Sequence, residues 1–326
     1  MKDTAFKLSV CAVLVFVVSI VMASSVLARD TSCKTKYPII LAHGMGFTPT
    51  ATMPHSFPGI VEALRACGAT VYYTTVPALH TNAVKSAAFK KQFEAIRATD
   101  GSAKFNIMGH SQGGLYTRYA ISNLGLAPYV ASLTTAASPH RGSFIDSVLL
   151  TITDVFPTLK PLMANFAMFP GDQTYAEANE RELTVDYMTK VFNPNTPNMK
   201  GVYYQSFAVA YRKYDIIRTT ADQLAMFTKI LLGNQKEPTV DEAALALYDM
   251  MKDTATMSYY MGGGIGDGLV QESSAKWGTY LGCERGPIFS NGVNHLDAVN
   301  MQLRGQVWDA KAYWVNLAKK LKAKGY

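Results

Sequence analysis

The chain has 326 residues, 48% of them hydrophobic, which suffices for one large domain with a thick core. No central stretch has a linker's composition, so one domain carrying an insertion is favoured over two. The formal net charge of +7 is a modest excess that suits attraction to an anionic interface, and its scattered basic residues argue against nucleic acid as a partner.

In chain order, Lys2 and Lys7 open a positive leader, and Leu8 to Met22 is an apolar run broken only by Ser9 and Ser19. Val26-Leu27-Ala28 then offers a small-residue cleavage site before Arg29, so residues 1–28 read as an export signal and 29–326 as the exported domain. An uncleaved membrane anchor is the alternative, because the apolar run is nearly long enough to span a bilayer. No later run is. Cleavage removes Lys2, Asp3 and Lys7 and lowers the net charge by one, to +6. Cys33, Cys67 and Cys283 remain, and in an oxidising compartment they allow one disulfide and one free thiol. The pairing stays open. Without a Cys-x-x-Cys or a histidine cluster, zinc is not expected.

Tyr37 to Ala42 reads as a buried strand that runs straight into His43-Gly44-Met45-Gly46. Pro58 to Cys67 has apolar Ile60, Val61 and Leu64 at helical spacing, and Val71 to Val76 is β-branched and aromatic, hence a strand. Thr81 to Arg97 reads as a helix with Val84, Ala88, Phe93 and Ile96 on its buried face. A strand ending at Gly109, a helix from Leu115 to Leu124 and a strand from Tyr129 to Ala137 follow. This alternation predicts an α/β fold, a mostly parallel central sheet with right-handed crossovers, flanked by helices.

After Ser138 to Ser143 the alternation stops. Residues 144–198 are helix-prone and rich in apolar groups such as Val148, Leu150, Phe156, Leu162 and Phe166. They read as a helical lid over the site, with ordinary core helices as the alternative. Val202 to Ala210 resumes the sheet, Asp215 to Lys252 is helix-prone, and Gly262 to Val270 is a glycine-rich turn around Asp267. That turn lacks both the strand–turn–helix setting and the G-x-x-x-x-G-K-[ST] pattern of a phosphate loop. Gln306 to Leu321 closes the chain as an amphipathic helix with Val307, Ala310, Trp314, Leu317 and Leu321 on one stripe. Lys319, Lys320, Lys322 and Lys324 read as its solvated end.

Gly109-His110-Ser111-Gln112-Gly113 fits G-x-S-x-G between a strand and a helix, the setting of a nucleophile elbow. A serine hydroxyl attacks only when a base takes its proton, and a histidine base needs a carboxylate to fix its tautomer. In an elbow fold the three follow in the order serine, acid, histidine. His43, His55, His80, His110 and His140 precede Asp267, which leaves His295 as the base. Asp267, set between glycines, is the preferred acid. Asp297 lies too near His295 in sequence to reach its Nδ1 easily, and Asp249 and Asp253 read as solvated charges on a helix. The tetrahedral intermediate needs two N–H donors, each worth ~10²–10³ in kcat. Gln112, after the nucleophile, and Met45, in the His43-Gly44 loop, are the candidates. This chemistry needs no cofactor.

Taken as a set, Tyr37 to Gly44, the elbow, Ala137 to Ser143, Asp267 to Val270 and Asn294 to Asn300 resemble the bacterial true lipases of family I, within the α/β-hydrolase fold. The resemblance implies a secreted serine esterase acting on triacylglycerols, with the residues named above; a monomer working at an oil–water or membrane interface is expected. It also implies a structural calcium ion near the histidine, held by Asp297 and by an upstream aspartate, for which Asp249 is the candidate. Where that family carries a glutamine four residues after the first of these, this chain has Met301, a poor calcium ligand. Ser273 or Ser274 stands where many relatives have a cysteine, so their disulfide is not expected. The need for a dedicated folding helper stays open. A short-chain esterase, a thioesterase and an acyltransferase are alternatives on the same triad. A binding protein on a hydrolase scaffold ranks last, since every triad position has a candidate.

Overall fold

Ile39-Ile40-Leu41-Ala42 is apolar at every position, which suits a strand covered on both faces. In the computed structural model, which describes residues 30–155, 173–212, 251–301 and 308–326, this run is β1 (Ile39–Ala42). From β1 the chain passes through α1 (Ile60–Ala66), β2 (Val71–Thr74), α2 (Asn82–Asp100), β3 (Phe105–His110), α3 (Gln112–Asn123) and β4 (Val130–Ala136). Then come α4 (Phe144–Val155), α5 (Ala176–Arg181), β5 (Tyr203–Val209), α6 (Glu272–Ala275), β6 (Thr279–Glu284) and α7 (Ala310–Ala323). The six strands form one sheet in the order β2-β1-β3-β4-β5-β6, with every ladder parallel. All strands therefore end on one edge, and the loops that leave them crowd together there.

The period of two along each strand divides the core into two layers. Ile39 and Leu41 pack with Ile60, Val61 and Leu64 of α1 and with Trp314, Leu317 and Leu321 of α7. Ile40 and Ala42 face the other way, onto Phe89 and Phe93 of α2 and Tyr116 and Ile121 of α3. Each such fully buried side chain contributes ~1.5–3 kcal/mol of transfer free energy. The expected stripe on α7 is buried at Ala310, Trp314, Leu317 and Leu321, while Val307 lies outside the described residues.

Three features differ from the reading of the sequence. Val84 is exposed and Lys85 is buried, so the inner face of α2 runs Lys85, Phe89, Phe93, because the lysine turns inward to polar partners. Strand β6 was not anticipated; Gly282 interrupts its pattern, it is only half-buried, and its register on β5 shifts between Ser206 and Ala208. Asp253 is buried rather than solvated, on a helical stretch covering residues 251–260. The expected export signal, the central part of the expected lid at 156–172, and most of the helix-prone stretch from Asp215, with Asp249 in it, lie outside the described residues. The later part of the lid segment is packed: Leu183, Met188 and Phe192 bury against Leu115 of α3, with Met45 alongside. Among the described residues no helix is long and apolar enough to cross a membrane.

Cys33 and Cys67 form a disulfide with Cα atoms 5.3 Å apart, and Cys283 is a free thiol on β6. The bridge joins residues 34 apart in sequence and ties the segment before β1 to the end of α1. Closing a loop of that length in the unfolded chain is worth about 3–4 kcal/mol. The double variant Cys33→Ser/Cys67→Ser should lose stability on that scale, read as a lower urea midpoint with a slope that is unchanged or steeper as the unfolded chain expands.

Candidate active site

Strand β3 must turn sharply to enter α3, and the residue at the turn is Ser111, at φ 54 and ψ −131. A side-chain-bearing residue adopts such a conformation only when its surroundings enforce it. Ser111 N–H donates to Ala136 O at 2.9 Å, and Ser111 O accepts from Gly114 N–H at 3.0 Å. A Cβ at Gly109 would lie 2.7 Å from the Gly113 carbonyl carbon, and one at Gly113 would lie 2.3 Å from Ala42 O. Both positions admit glycine alone. The β1 loop closes the remaining side, since a Cβ on Gly44 would come within 2.7 Å of Ser111 Cβ.

The glycine-rich turn holds a carboxylate. Asp267 Oδ1 accepts from Leu269 N–H at 3.0 Å and Val270 N–H at 2.8 Å, while Oδ2 accepts from His295 Nδ1–H at 2.8 Å. Asp267 and His295 are both buried, and His295 N–H adds a bond to Asp267 O at 3.0 Å. A proton on Nδ1 leaves Nε2 with its lone pair, the tautomer a general base requires. His110, immediately before Ser111, donates from Nε2–H to His295 O at 3.0 Å, and the two rings meet tilted by 43° with centroids 4.6 Å apart. That contact holds the base loop against the elbow. Burial, with His295 adjoining, keeps His110 well below the usual histidine range, so it is neutral. On the far side, Trp314 Nε1–H donates to Ala298 O at 2.8 Å, pinning the loop to α7.

Gln112 is the first residue of α3, so its N–H has no acceptor within the helix. The other expected donor, Met45, lies in a loop with its own scaffold. His43 donates from Nδ1–H to Gly44 O at 2.7 Å and accepts at Nε2 from Val76 N–H at 2.9 Å; burial lowers it to about 4. Gly46 N–H donates to Ala78 O at 2.9 Å. Lys85 Nζ donates to that same Ala78 oxygen at 2.9 Å and also to Gln112 Oε1. One buried ammonium thus braces both the elbow and the loop that carries Met45. Asn179 of α5 adds a contact to Met45 Sδ at 2.7 Å. Lys85 has the composition of an exposed helix position; the one sign of its role in the sequence is its place on the Phe89–Phe93 face, four residues before Phe89.

Asp297 stands apart from the relay. Its Oδ2 accepts from Asn294 N–H at 3.0 Å, and burial raises the carboxyl to about 7. Its Oδ1 is buried without a hydrogen-bond partner among the described residues, as a cation ligand would be. No group of three or more His, Cys, Asp or Glu side chains suited to a metal ion occurs among those residues. Ser274, where a cysteine might have stood, accepts from Arg141 N–H at 3.0 Å and donates to Gly142 O at 2.6 Å.

The chain has recognisable relatives. Residues 38–204, just over half of it, match a family model described as palmitoyl protein thioesterase. A triacylglycerol lipase of Pseudomonas fragi is 36% identical over 115 residues, covering 35% of this chain and 38% of that protein. Triacylglycerol lipase 2 of Saccharomyces cerevisiae is 28% identical over 249 residues, covering 74% of this chain and 61% of that protein. The matches thus span less than two thirds of these curated relatives. Among solved structures, a metagenomic carboxyl esterase has a TM-score of 0.55 at 14% identity, covering 88% of this chain and 76% of that one. Staphylococcus hyicus lipase has a TM-score of 0.52 at 16% identity, covering 89% and 97%. At such identities the likeness establishes the α/β-hydrolase fold.

Lys85 makes the site's stability sensitive to pH. Burial lowers it from 10.5 to about 7, against a smaller opposing pull from Glu182. Between those values the unfolded chain holds the extra proton, so this residue makes stability rise as pH increases. Urea midpoints at about pH 7 and about pH 9 should show a smaller alkaline gain in Lys85→Met than in the wild type.

Proposed function

The chain belongs to the palmitoyl protein thioesterase family, and from that premise we propose that it is an exported serine hydrolase of lipid carboxylic esters, foremost triacylglycerols. The observation that carries the reading is the buried Asp267–His295 hydrogen bond of 2.8 Å, braced through His110 against a serine at positive φ. In the reaction, Ser111 Oγ attacks the ester carbonyl as His295 Nε2 takes its proton, and Asp267 stabilises the imidazolium. The N–H groups of Gln112 and Met45 receive the negative charge that develops on the carbonyl oxygen. As the intermediate collapses, His295 passes the proton to the departing alcohol, leaving an acyl group on Ser111. Water then repeats the sequence and releases the acid.

Curated relatives named triacylglycerol lipases support the substrate class. The leader at 1–28 and the Cys33–Cys67 disulfide support export to an oxidising compartment. Residues 144–198, whose later part packs beside Met45, are the proposed lid. A calcium ion at Asp297 would compensate a buried charge and hold the histidine loop; no chemical step passes through it. The description of the family favours a second reading, thioester hydrolysis, in which the same steps expel a thiolate or thiol.

Ser111→Ala should lower kcat by about 10⁵-fold or more while leaving the melting temperature within a few degrees. Full activity in that variant ends the proposal. Rates on a palmitoyl thioester and on emulsified triacylglycerols, compared at matched concentration, separate the two substrate readings by the larger kcat/KM.

A further inference from the structure

Between β6 and the histidine loop, the chain makes a turn whose tip is Pro287-Ile288-Phe289. Phe289 is 99% exposed and Ile288 72%. Isolated apolar side chains on a surface need no explanation, but this pair is held out by a braced backbone. Ser290 closes the turn with N–H and Oγ–H bonds to Pro287 O at 3.0 and 2.8 Å. From the extension of β5, Arg212 Nε–H donates to Pro287 O at 3.0 Å and its Nη2 to Gly286 O. Arg212 N–H reaches Asn291 O at 3.2 Å, and Val293 N–H reaches Ala210 O at 3.0 Å, so both legs are fixed. The ring has no easy route inward.

The turn leaves β6 on the same edge of the sheet from which Ser111 leaves β3, because every ladder between them is parallel. Three strand spacings separate the two, roughly 14 Å at ~4.8 Å each. Tyr260 and Met261, also exposed, lie on the segment that leads into the Asp267 turn; the adjoining Gly263 packs against Phe144, which opens α4 beyond that edge. Apolar groups therefore rim the edge that carries the candidate site. Arg212 places a guanidinium at the base of the tip, and Arg285, beside it, is ion-paired with Glu272. The chain as a whole carries +7.

We propose that the 286–290 turn is a preformed anchor that inserts Ile288 and Phe289 into the surface of an aggregated ester lipid and sets the site's edge against it. The proposal rests on the ester-hydrolase reading and specifies how that site meets its substrate. Bulk lipid is the committed partner: a rigid apolar tip with a cation behind it matches an acyl layer beneath polar, partly anionic head groups.

The test uses sedimentation with vesicles of phosphatidylcholine containing a minority of phosphatidylglycerol. Removing the ring and the branched side chain in Ile288→Ser/Phe289→Ala should lower vesicle partitioning about tenfold or more. The rate on emulsified triacylglycerol should fall in parallel, and the rate on a water-soluble short-chain ester should not change. The fluorescence of Phe289→Trp should shift to the blue on adding vesicles. Equal partitioning of the double variant and the wild type overturns the proposal, as does no vesicle-induced shift. If no form hydrolyses any ester yet binding still depends on Phe289, the hydrolase reading falls and the anchor stands.

Discussion

The backbone at Ser111 is the constraint on which the site depends. A serine at φ 54 persists only because neighbouring strands and a helix end close in from several sides. Gly109, Gly113 and Gly44 permit that approach, each at a distance where a methyl group would collide with backbone or with Ser111 itself. The sheet order follows the same logic, since β3 must lie between β1, which brings the His43-Gly44 loop, and β4, whose Ala136 carbonyl fixes the Ser111 amide. Changing the order would leave the turn unsupported.

Around this turn the protein buries several histidines and a lysine, each with a defined partner. His43, His110 and His140 are buried and held neutral by desolvation, bonded to backbone, hydroxyl or guanidinium groups. His295 is bonded instead to a buried carboxylate. That difference in partner is what the proposed role of His295 as base rests on, since a carboxylate favours the imidazolium that proton abstraction would create. Lys85 is a cation withdrawn from water to join two loops, and its lowered pKa reflects the burial.

The candidate site residues were legible in the sequence because they sit in short, chemically unusual segments whose order is fixed by the fold. Ser111 announced itself through flanking glycines, Asp267 through the glycine-rich turn, and His295 by being the last histidine in the chain. The unbroken apolar run of β1 was equally plain. What stayed hidden depends on tertiary context. Lys85 has the residue type of a surface helix, and only packing shows that its ammonium replaces an apolar contact. Strand β6 carries a glycine and a half-solvated face, so its pattern resembles a loop until β5 supplies partners. The cysteine pairing required a distance that spacing alone cannot give.

The free sulfur of Cys283 has a consequence for the Cys33–Cys67 bridge. Burial raises the Cys283 thiol to about 12, so the docked strand offers almost no thiolate at neutral pH. A thiol in that state is a poor attacker of other sulfur–sulfur bonds. Placing β6 beside β5 thus withdraws Cys283 from exchange and protects the correct bridge from scrambling. While that strand is undocked, three exchange-competent sulfurs coexist. Docking β6 thus disfavours exchange between Cys283 and the Cys33–Cys67 bridge.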